Sequence, residues 1–506
     1  MNALSLEGKI APNAQPGAET LATSSWKRDL LNIVMLSGLT FWSVYYAPPI
    51  FSRLLFLALL PLIFRSKADY LWLAWFMVII DAPGRLFSAT GLHDLRLPIY
   101  SLASGVSLEF QELFLATYLM KALLVAGREQ PFVFKKAFHI FFVGMGIYLA
   151  NSVVLGMDGH TIILAFRNLL PWTWVFIVPC FINGPEKVVK LGRLLFPFIF
   201  LALALQIHSF IVGNHLDNIM RGLPPELSLA VKEDSSVSRS YSSVYLSLVG
   251  MTLASFVILS KKKLLRPASY PAAVVFCALA IVVLSATRGY IIAFGSMALG
   301  LVFLMFRNGK IGKIFSLALA SMAIIFILQF SFPLIGKQFS GAMERFSTLE
   351  LLASGDITAG GTLQRFDVRG IRVLNKFKES PVIGWGFSNT YFRYSDAHVG
   401  QHNLLLNVGV VGFIFLNLLF FHLLWKILKY ASSAEVKERW GNAAYVFFFG
   451  LLAIYIIHST SSQCWGYIMH FDQMAKVFTY GLIIGSFNAL VLPPENDRRD
   501  LARESA

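Results

Sequence analysis

Apolar residues run along this chain in stretches long enough to cross a hydrocarbon layer, and short polar or basic segments separate them. The runs fall near 30–47, 50–64, 68–80, 107–126, 132–155, 161–183, 194–213, 241–260, 270–287, 290–306, 314–332, 402–425, 443–460 and 475–492. A helix of about 20 apolar residues crosses roughly 30 Å of hydrocarbon while satisfying its own backbone hydrogen bonds. The pattern therefore predicts an all-α, polytopic transmembrane bundle of about 12–14 spans, the range reflecting two short runs and the Pro48-Pro49 junction. No segment shows the alternation of a membrane-barrel strand.

Composition agrees with the pattern. Of 506 residues, 56% are hydrophobic and 14% charged, too apolar a balance for one soluble core. A formal charge of +15 invites a nucleic-acid partner, but the basic residues sit in small clusters between apolar runs, not on one polar module. No nucleic acid is expected. The three cysteines, Cys180, Cys277 and Cys464, form no CxxC spacing and no even set for bridging.

Lys and Arg collect on cytoplasmic loops, which orients the chain. Lys27-Arg28, Arg65, Lys67, Lys135-Lys136, Lys187 to Arg193, Lys261 to Arg266, Arg307 to Lys313, Lys426 to Arg439 and Arg498 to Arg503 all fall on one side. The expected organisation is a cytoplasmic tail (1–29, polar and not a cleavable leader), helices one to eleven (30–332), a large periplasmic loop (333–401), helices twelve to fourteen (402–492) and a cytoplasmic tail (493–506). The shorter segments 81–106 and 214–240 also fall outside.

The loop 333–401 carries eight Lys/Arg against six Asp/Glu, against the rule that external loops lack basic residues. Within it Arg365, Arg369, Arg372 and Lys376 recur at helical spacing, with Leu363, Phe366, Val373, Leu374 and Phe377 on a neighbouring face. An amphipathic helix over 362–378 is expected, ended by Pro381, Gly384 and Gly386. Its basic stripe fits either lipid headgroups or a bound anion.

Several charged or polar residues lie at the expected outer boundary: Arg288 between the ninth and tenth spans, Arg167 just inside the sixth, Arg239 before the eighth, and His402 with Asn403 opening the twelfth. Ionisable groups there cost free energy and imply partners. Helix starts on the same side present free N–H groups to an anion. Guanidinium forks match phosphate oxygens, and a histidine accepts a proton near neutral pH. His398 and His402 stand four apart, and His458, Cys464, His470 and Asp472 gather in another segment, but no carboxylate completes a metal signature, so no metal is expected. Of the carboxylates Asp81, Glu109, Glu112 and Asp472, the last is the first choice for binding sugar hydroxyls.

The ordered set Ser285-Ala-Thr-Arg288-Gly, Gly361-Thr-Leu-Gln-Arg365, Ser380-Pro-Val-Ile-Gly-Trp-Gly386 and Gln401-His-Asn-Leu-Leu-Leu-Asn-Val-Gly-Val-Val-Gly412 resembles the O-antigen ligase and O-antigen polymerase superfamily. The resemblance covers roughly 238–425. It implies an inverting, metal- and cofactor-independent glycosyltransferase of the bacterial inner membrane, working at the periplasmic face. The donor it implies is an undecaprenyl-diphosphate-linked oligosaccharide and the acceptor a second glycan, with membrane lipid, a flippase and a chain-length regulator as further partners.

By the resemblance, Arg288 and Arg365 hold the diphosphate and His402 activates the acceptor, with His398 as a rival base. Arg369, Arg239, Arg167, Asn403 and Asp472 are the expected substrate-binding residues. An O-antigen or exopolysaccharide polymerase and a ligase to lipid A core differ in acceptor. Arg239-x10-Gly250 and a second arginine-bearing outer loop tilt towards the polymerase. A lipid-glycan transporter is the rival from another class, but it calls for internal repeats that the halves do not display.

Overall fold

A computed structural model describes residues 18–86, 97–103, 106–125, 131–212, 243–310 except 263, 266 and 268, 369–396, 399–460 and 473–492, with isolated positions between 312 and 354. In chain order the helices are α1 (Ala18–Tyr45), α2 (Pro49–Arg65), α3 (Asp69–Leu86), α4 (Phe110–Leu124), α5 (Lys135–Val154), α6 (Gly159–Leu169), α7 (Trp174–Phe181), α8 (Pro185–Val212), α9 (Val244–Leu259), α10 (Ser269–Ser285), α11 (Arg288–Arg307), α12 (Ile371–Phe377), α13 (Asn389–Tyr394), α14 (Gly400–Ala431), α15 (Ala434–Trp440), α16 (Val446–Thr460) and α17 (Gln473–Val491). A short antiparallel hairpin, β1 (Ile99–Ala103) with β2 (Val106–Glu109), stands between α3 and α4.

The chain is a polytopic helical bundle, as the apolar runs predict. Helix occupies every run except 314–332, which lies outside the described residues. Among the described residues six helices are long and apolar enough to cross a membrane, or seven if the bent pair at 434–459 counts as one span. Several boundaries differ from expectation: α1 begins at Ala18 and α8 at Pro185, ahead of runs that start near 30 and 194, and α14 extends to Ala431. The fourth run loses its first residues to β2, because Glu109 closes a capping box with Glu112 and starts the helix at Phe110. The amphipathic helix is seen only as α12, since 362–368 lie outside the described residues.

Burial separates two kinds of helix. Almost every residue of α17 is buried, whereas α5 and α14 each turn an apolar face outwards, with Val143, Ile147, Ile414 and Leu418 exposed. An apolar face that stays exposed is stable only against lipid. The central core joins Trp75, Phe76, Phe114 and Trp174 to Phe478 of α17, with Phe76 and Phe114 stacked at 4.0 Å. Beside it sits a smaller separate core of Val373, Tyr391, Val399 and Leu406. This second core belongs to the layer formed by α12, α13 and the start of α14, and it carries the candidate chemistry.

Candidate active site

Helix α14 is not one straight rod. At Gly409 the backbone turns to φ 64° and ψ −173°, which breaks the α-helical ladder. A break inside an apolar helix frees N–H and C=O groups that no water can satisfy. Here the segment Ser380–Phe387 supplies the missing partners. The N–H groups of Val410 and Val411 donate to the carbonyls of Pro381 (2.8 Å) and Val382 (3.1 Å), while the carbonyls of Leu406 and Asn407 accept from Trp385 and Gly386, both at 2.8 Å. The Asn407 amide donates to the Gly386 carbonyl at 2.6 Å.

That exchange gives the Ser-Pro-Val-Ile-Gly-Trp-Gly string a physical role. Gly384 and Gly409 both have positive φ, and a Cβ on either would collide with the other's backbone strand. The string is therefore a plug for a broken helix. It divides α14 into a short arm, 400–408, which bears His402, and a long span from 410 onwards.

The arm is gripped along its length. Asn403 is fully buried, its amide oxygen accepting from the Asp396 N–H at 2.9 Å and its amide nitrogen donating to the Asp396 carbonyl. Asp396 also pairs loosely with Arg369 at 3.8 Å, and Arg372 reaches the carbonyls of Tyr394 and Ser395 at 3.4 Å. Lys376 pairs with Glu379 at 2.6 Å and lies over the rings of Trp385 and Tyr394. The described members of the basic stripe thus hold this layer together, with Arg369, exposed and 3.8 Å from Asp396, the most loosely paired. Asp396, the hub of this layer, was not singled out by sequence, where it reads as one more loop carboxylate.

Arg288 reaches the same region by another route. Between α10 and α11 Ala286 is buried with φ 50°, a left-handed conformation that costs a non-glycine residue roughly 1–2 kcal/mol. The strained turn makes Arg288 the first residue of α11. Helices α11 and α16 run antiparallel, since Asn308 accepts from the Asn442 amide at 2.6 Å and Gly300 rests on the Phe449 ring. Following both helices onward from that contact brings α11 to Arg288 as α16 reaches its end. At that end Gly400 lies against the His458 carbonyl and Gln401 donates to Ser459 Oγ at 2.7 Å.

The starts of α11 and of the α14 arm, carrying Arg288 and His402, therefore both stand at the C-terminal end of α16. Both side chains are half-buried. A cation at a helix start opposes the helix dipole, and an anion bound there relieves that cost. Two positive helix ends and a guanidinium at one level are suited to an oxyanion such as a phosphate.

The other expected site residues are distributed as follows. Arg167, on α6, makes a two-pronged ion pair with Glu112 of α4, one contact at 2.7 Å, so its charge is neutralised in place. Burial and the adjacent Glu112 push the Glu109 carboxyl up, while Gln111 and Arg167 oppose the shift. Asp81 is fully buried and accepts from the Leu246 N–H at 2.6 Å. His458 is buried within α16, its Nδ1 3.1 Å from the Tyr480 hydroxyl. Arg365, Arg239, Asp472, His398, Cys464 and His470 lie outside the described residues. Among the described residues no group of three or more His, Cys, Asp or Glu is placed to hold a metal.

Fold and site define a multi-pass membrane protein with a polar site built at one end of its bundle. Residues 272–421 match the family model described as O-antigen ligase, which bears out the resemblance to the O-antigen ligase and polymerase superfamily. The matched segment runs from α10 to the long span of α14 and so contains Arg288, Arg369, His402 and the helix plug. The match implies a membrane enzyme of glycosyltransferase type that uses a lipid-linked glycan and an acceptor. No curated protein matches the chain.

Proposed function

We propose that this chain is an inverting, metal-independent glycosyltransferase of the bacterial inner membrane. In this proposal it polymerises an undecaprenyl-diphosphate-linked glycan, of O-antigen or exopolysaccharide type, on the periplasmic face. The observation that supports the proposal is that the helix starts bearing Arg288 and His402 both stand at the C-terminal end of α16. Arg288, assisted by Arg365 and Arg369, neutralises the diphosphate, and His402 faces the acceptor sugar.

In the proposed step an acceptor hydroxyl oxygen attacks the anomeric carbon from the face opposite the diphosphate. The new C–O bond forms as the bond between C1 and the diphosphate oxygen breaks, and its bonding pair leaves on that oxygen. His402 takes the hydroxyl proton and later releases it to water. The arginines stabilise charge that grows on the leaving oxygen, a contribution that a uniform binding contact would not make. The polymerase assignment rests on the Arg239 and Arg365 segments, two arginine-bearing stretches expected outside the membrane.

The experiment is transfer by purified protein from a lipid-linked repeat unit, alongside polymer analysis in a deletion strain. Wild-type protein should lengthen the lipid-linked chain, and His402→Ala and Arg288→Gln should each abolish most of that lengthening. Transfer only to lipid A core would replace the polymerase with a ligase. Movement of the lipid-linked glycan across vesicles with no change in its length would overturn the transferase.

A further inference from the structure

The half-helix that bears His402 has a fixed direction, and a single side chain spans the two limbs that define it. Gln401 near the tip of the arm and Asn417 on the long span would be about 24 Å apart in a straight helix at 1.5 Å per residue. In this fold both touch Tyr455 of α16. The Gln401 amide donates to the Tyr455 hydroxyl at 3.4 Å, and that hydroxyl donates to Asn417 Oδ1. The Tyr455 ring stacks on Phe420 of the long span at 4.1 Å with an interplanar angle of 16°. The arm is further anchored by the shorter bond from Gln401 to Ser459, one helical turn from Tyr455.

We propose that Tyr455 is a positioning residue for the transfer reaction, a clamp across the break at Gly409 that sets where His402 points. The plug formed by Ser380–Phe387 bonds both limbs close to the break, and Tyr455 adds a restraint farther out, at Gln401 on the arm and Asn417 on the long span. Tyr455 ties both limbs to one rigid neighbour. Misplacing a proton acceptor by about 1 Å costs on the order of a hundredfold in rate, so a restraint on the arm acts on turnover rather than on donor binding. Tyr455 touches neither diphosphate nor sugar in this scheme; it acts through Gln401 and the arm.

This inference rests on the proposed transferase and is tested with full-length protein in detergent or nanodiscs. Tyr455→Phe keeps the ring stack on Phe420 and removes both hydroxyl contacts. It should lower kcat about tenfold with the donor KM changed less than about twofold, and unfold at nearly the wild-type temperature. Asn417→Ala should do the same, and the double variant should lose no more than the worse single, since one contact is removed twice. Wild-type turnover in Tyr455→Phe, or a loss that matches a fall in folded protein, would overturn the clamp.

A second measurement needs no activity and separates failure of the clamp from failure of the transferase. Spin labels at Leu405→Cys and Phe421→Cys, in a background lacking the native cysteines, report the distance between the limbs. Tyr455→Phe should broaden that distribution. An unchanged distribution overturns the clamp even if the enzyme is a transferase, whereas a broadened one supports it even if wild-type protein transfers no glycan.

Discussion

The two ends of the bundle use the same cationic side chains in opposite ways. At one end, the end expected to be cytoplasmic, lysine and arginine finish helices. Lys121 donates to the carbonyls of Ile63 (3.1 Å) and Ser66 (2.6 Å), Lys187 to Phe181, Lys310 to Ile258 and Arg439 to Leu492. Each places a positive charge on orphan carbonyls at or just beyond the C-terminal end of a helix, where the dipole is negative and the interaction is favourable. At the other end Arg288 begins a helix, where the dipole is positive. The first arrangement is complete without a ligand. A bound anion would add to the second, and Lys135 and Lys136, which open α5 at the first end, show that the position of a cation along a helix does not by itself mark a site.

The comparison breaks most readily at Lys121. Its ammonium is buried against Asp69, whose carboxylate is also buried, and the Tyr118 hydroxyl is 3.2 Å from the same carboxylate. Lys121→Met leaves that carboxylate without its cation and should lower stability by about 3–5 kcal/mol, read as loss of folded protein on heating in detergent. Lys121→Arg should recover part of the loss. A Lys121→Met protein as stable as wild type would mean that the basic end is ordinary solvated surface.

Arg288 should behave in the reverse sense. Arg288→Gln is expected to lower turnover by about 10²–10³, equivalent to about 2.7–4 kcal/mol of transition-state stabilisation, with a small change in melting temperature. A variant that melts far below wild type while each folded molecule keeps its turnover would move Arg288 into the scaffold class.

Much of this architecture was legible in sequence, and the exceptions have physical causes. Apolar runs located the helices because a lipid-crossing helix must be apolar along its whole length, a strong and simple signal. The break in α14 was hidden for the same reason: Asn407-Val-Gly-Val-Val-Gly412 stays apolar through it, and the partners that repair the backbone come from residues 380–387, far away in sequence. Gly409 was the available clue, since a glycine inside a helical run weakens the helix there. Arg288 and His402 could be picked out as candidates because charge at an expected membrane boundary is conspicuous. Tyr455 could not, because a tyrosine inside an apolar run carries no local mark of its two hydrogen bonds. Arg167 is the opposite case, since nothing in its own segment reveals the Glu112 carboxylate that pairs with it.

The plug itself is the next test. Gly409→Ala forces a Cβ into the Val382 carbonyl at a backbone angle that alanine resists, and Gly384→Ala does the same from the other strand. Each should cost about 1–3 kcal/mol and lower activity together with stability, unlike Arg288→Gln. Arg167→Ala should follow at about 1–2 kcal/mol, discounted because the arginine is partly exposed, and activity per folded molecule should hold.

The smallest effect lies where the outer layer meets the turn before α6. Asp158 caps α6 by accepting from the Thr161 N–H at 2.7 Å and also accepts from the Asn389 amide of α13 at 3.1 Å, while Thr161 Oγ1 donates to Asn389 at 3.0 Å. The Thr161 backbone bond, and then the Asn389 bond, hold the Asp158 carboxyl below the usual carboxylate range. A depressed acid contributes stability that is fully present above its ordinary value near 3.8 and disappears as pH falls through the lower folded value. The tie between α6 and α13 should therefore hold at neutral pH and loosen only below about pH 4. Amide exchange at Thr161 and Tyr391 should rise on acidification in wild-type protein, whereas Asp158→Ala should show the faster exchange already at pH 7. Equal protection in the two proteins at pH 7 would leave the capping bond without consequence and place the junction's strength in the buried Ser152 to Phe387 contact, where the hydroxyl accepts from the backbone N–H at 2.6 Å and no titration applies.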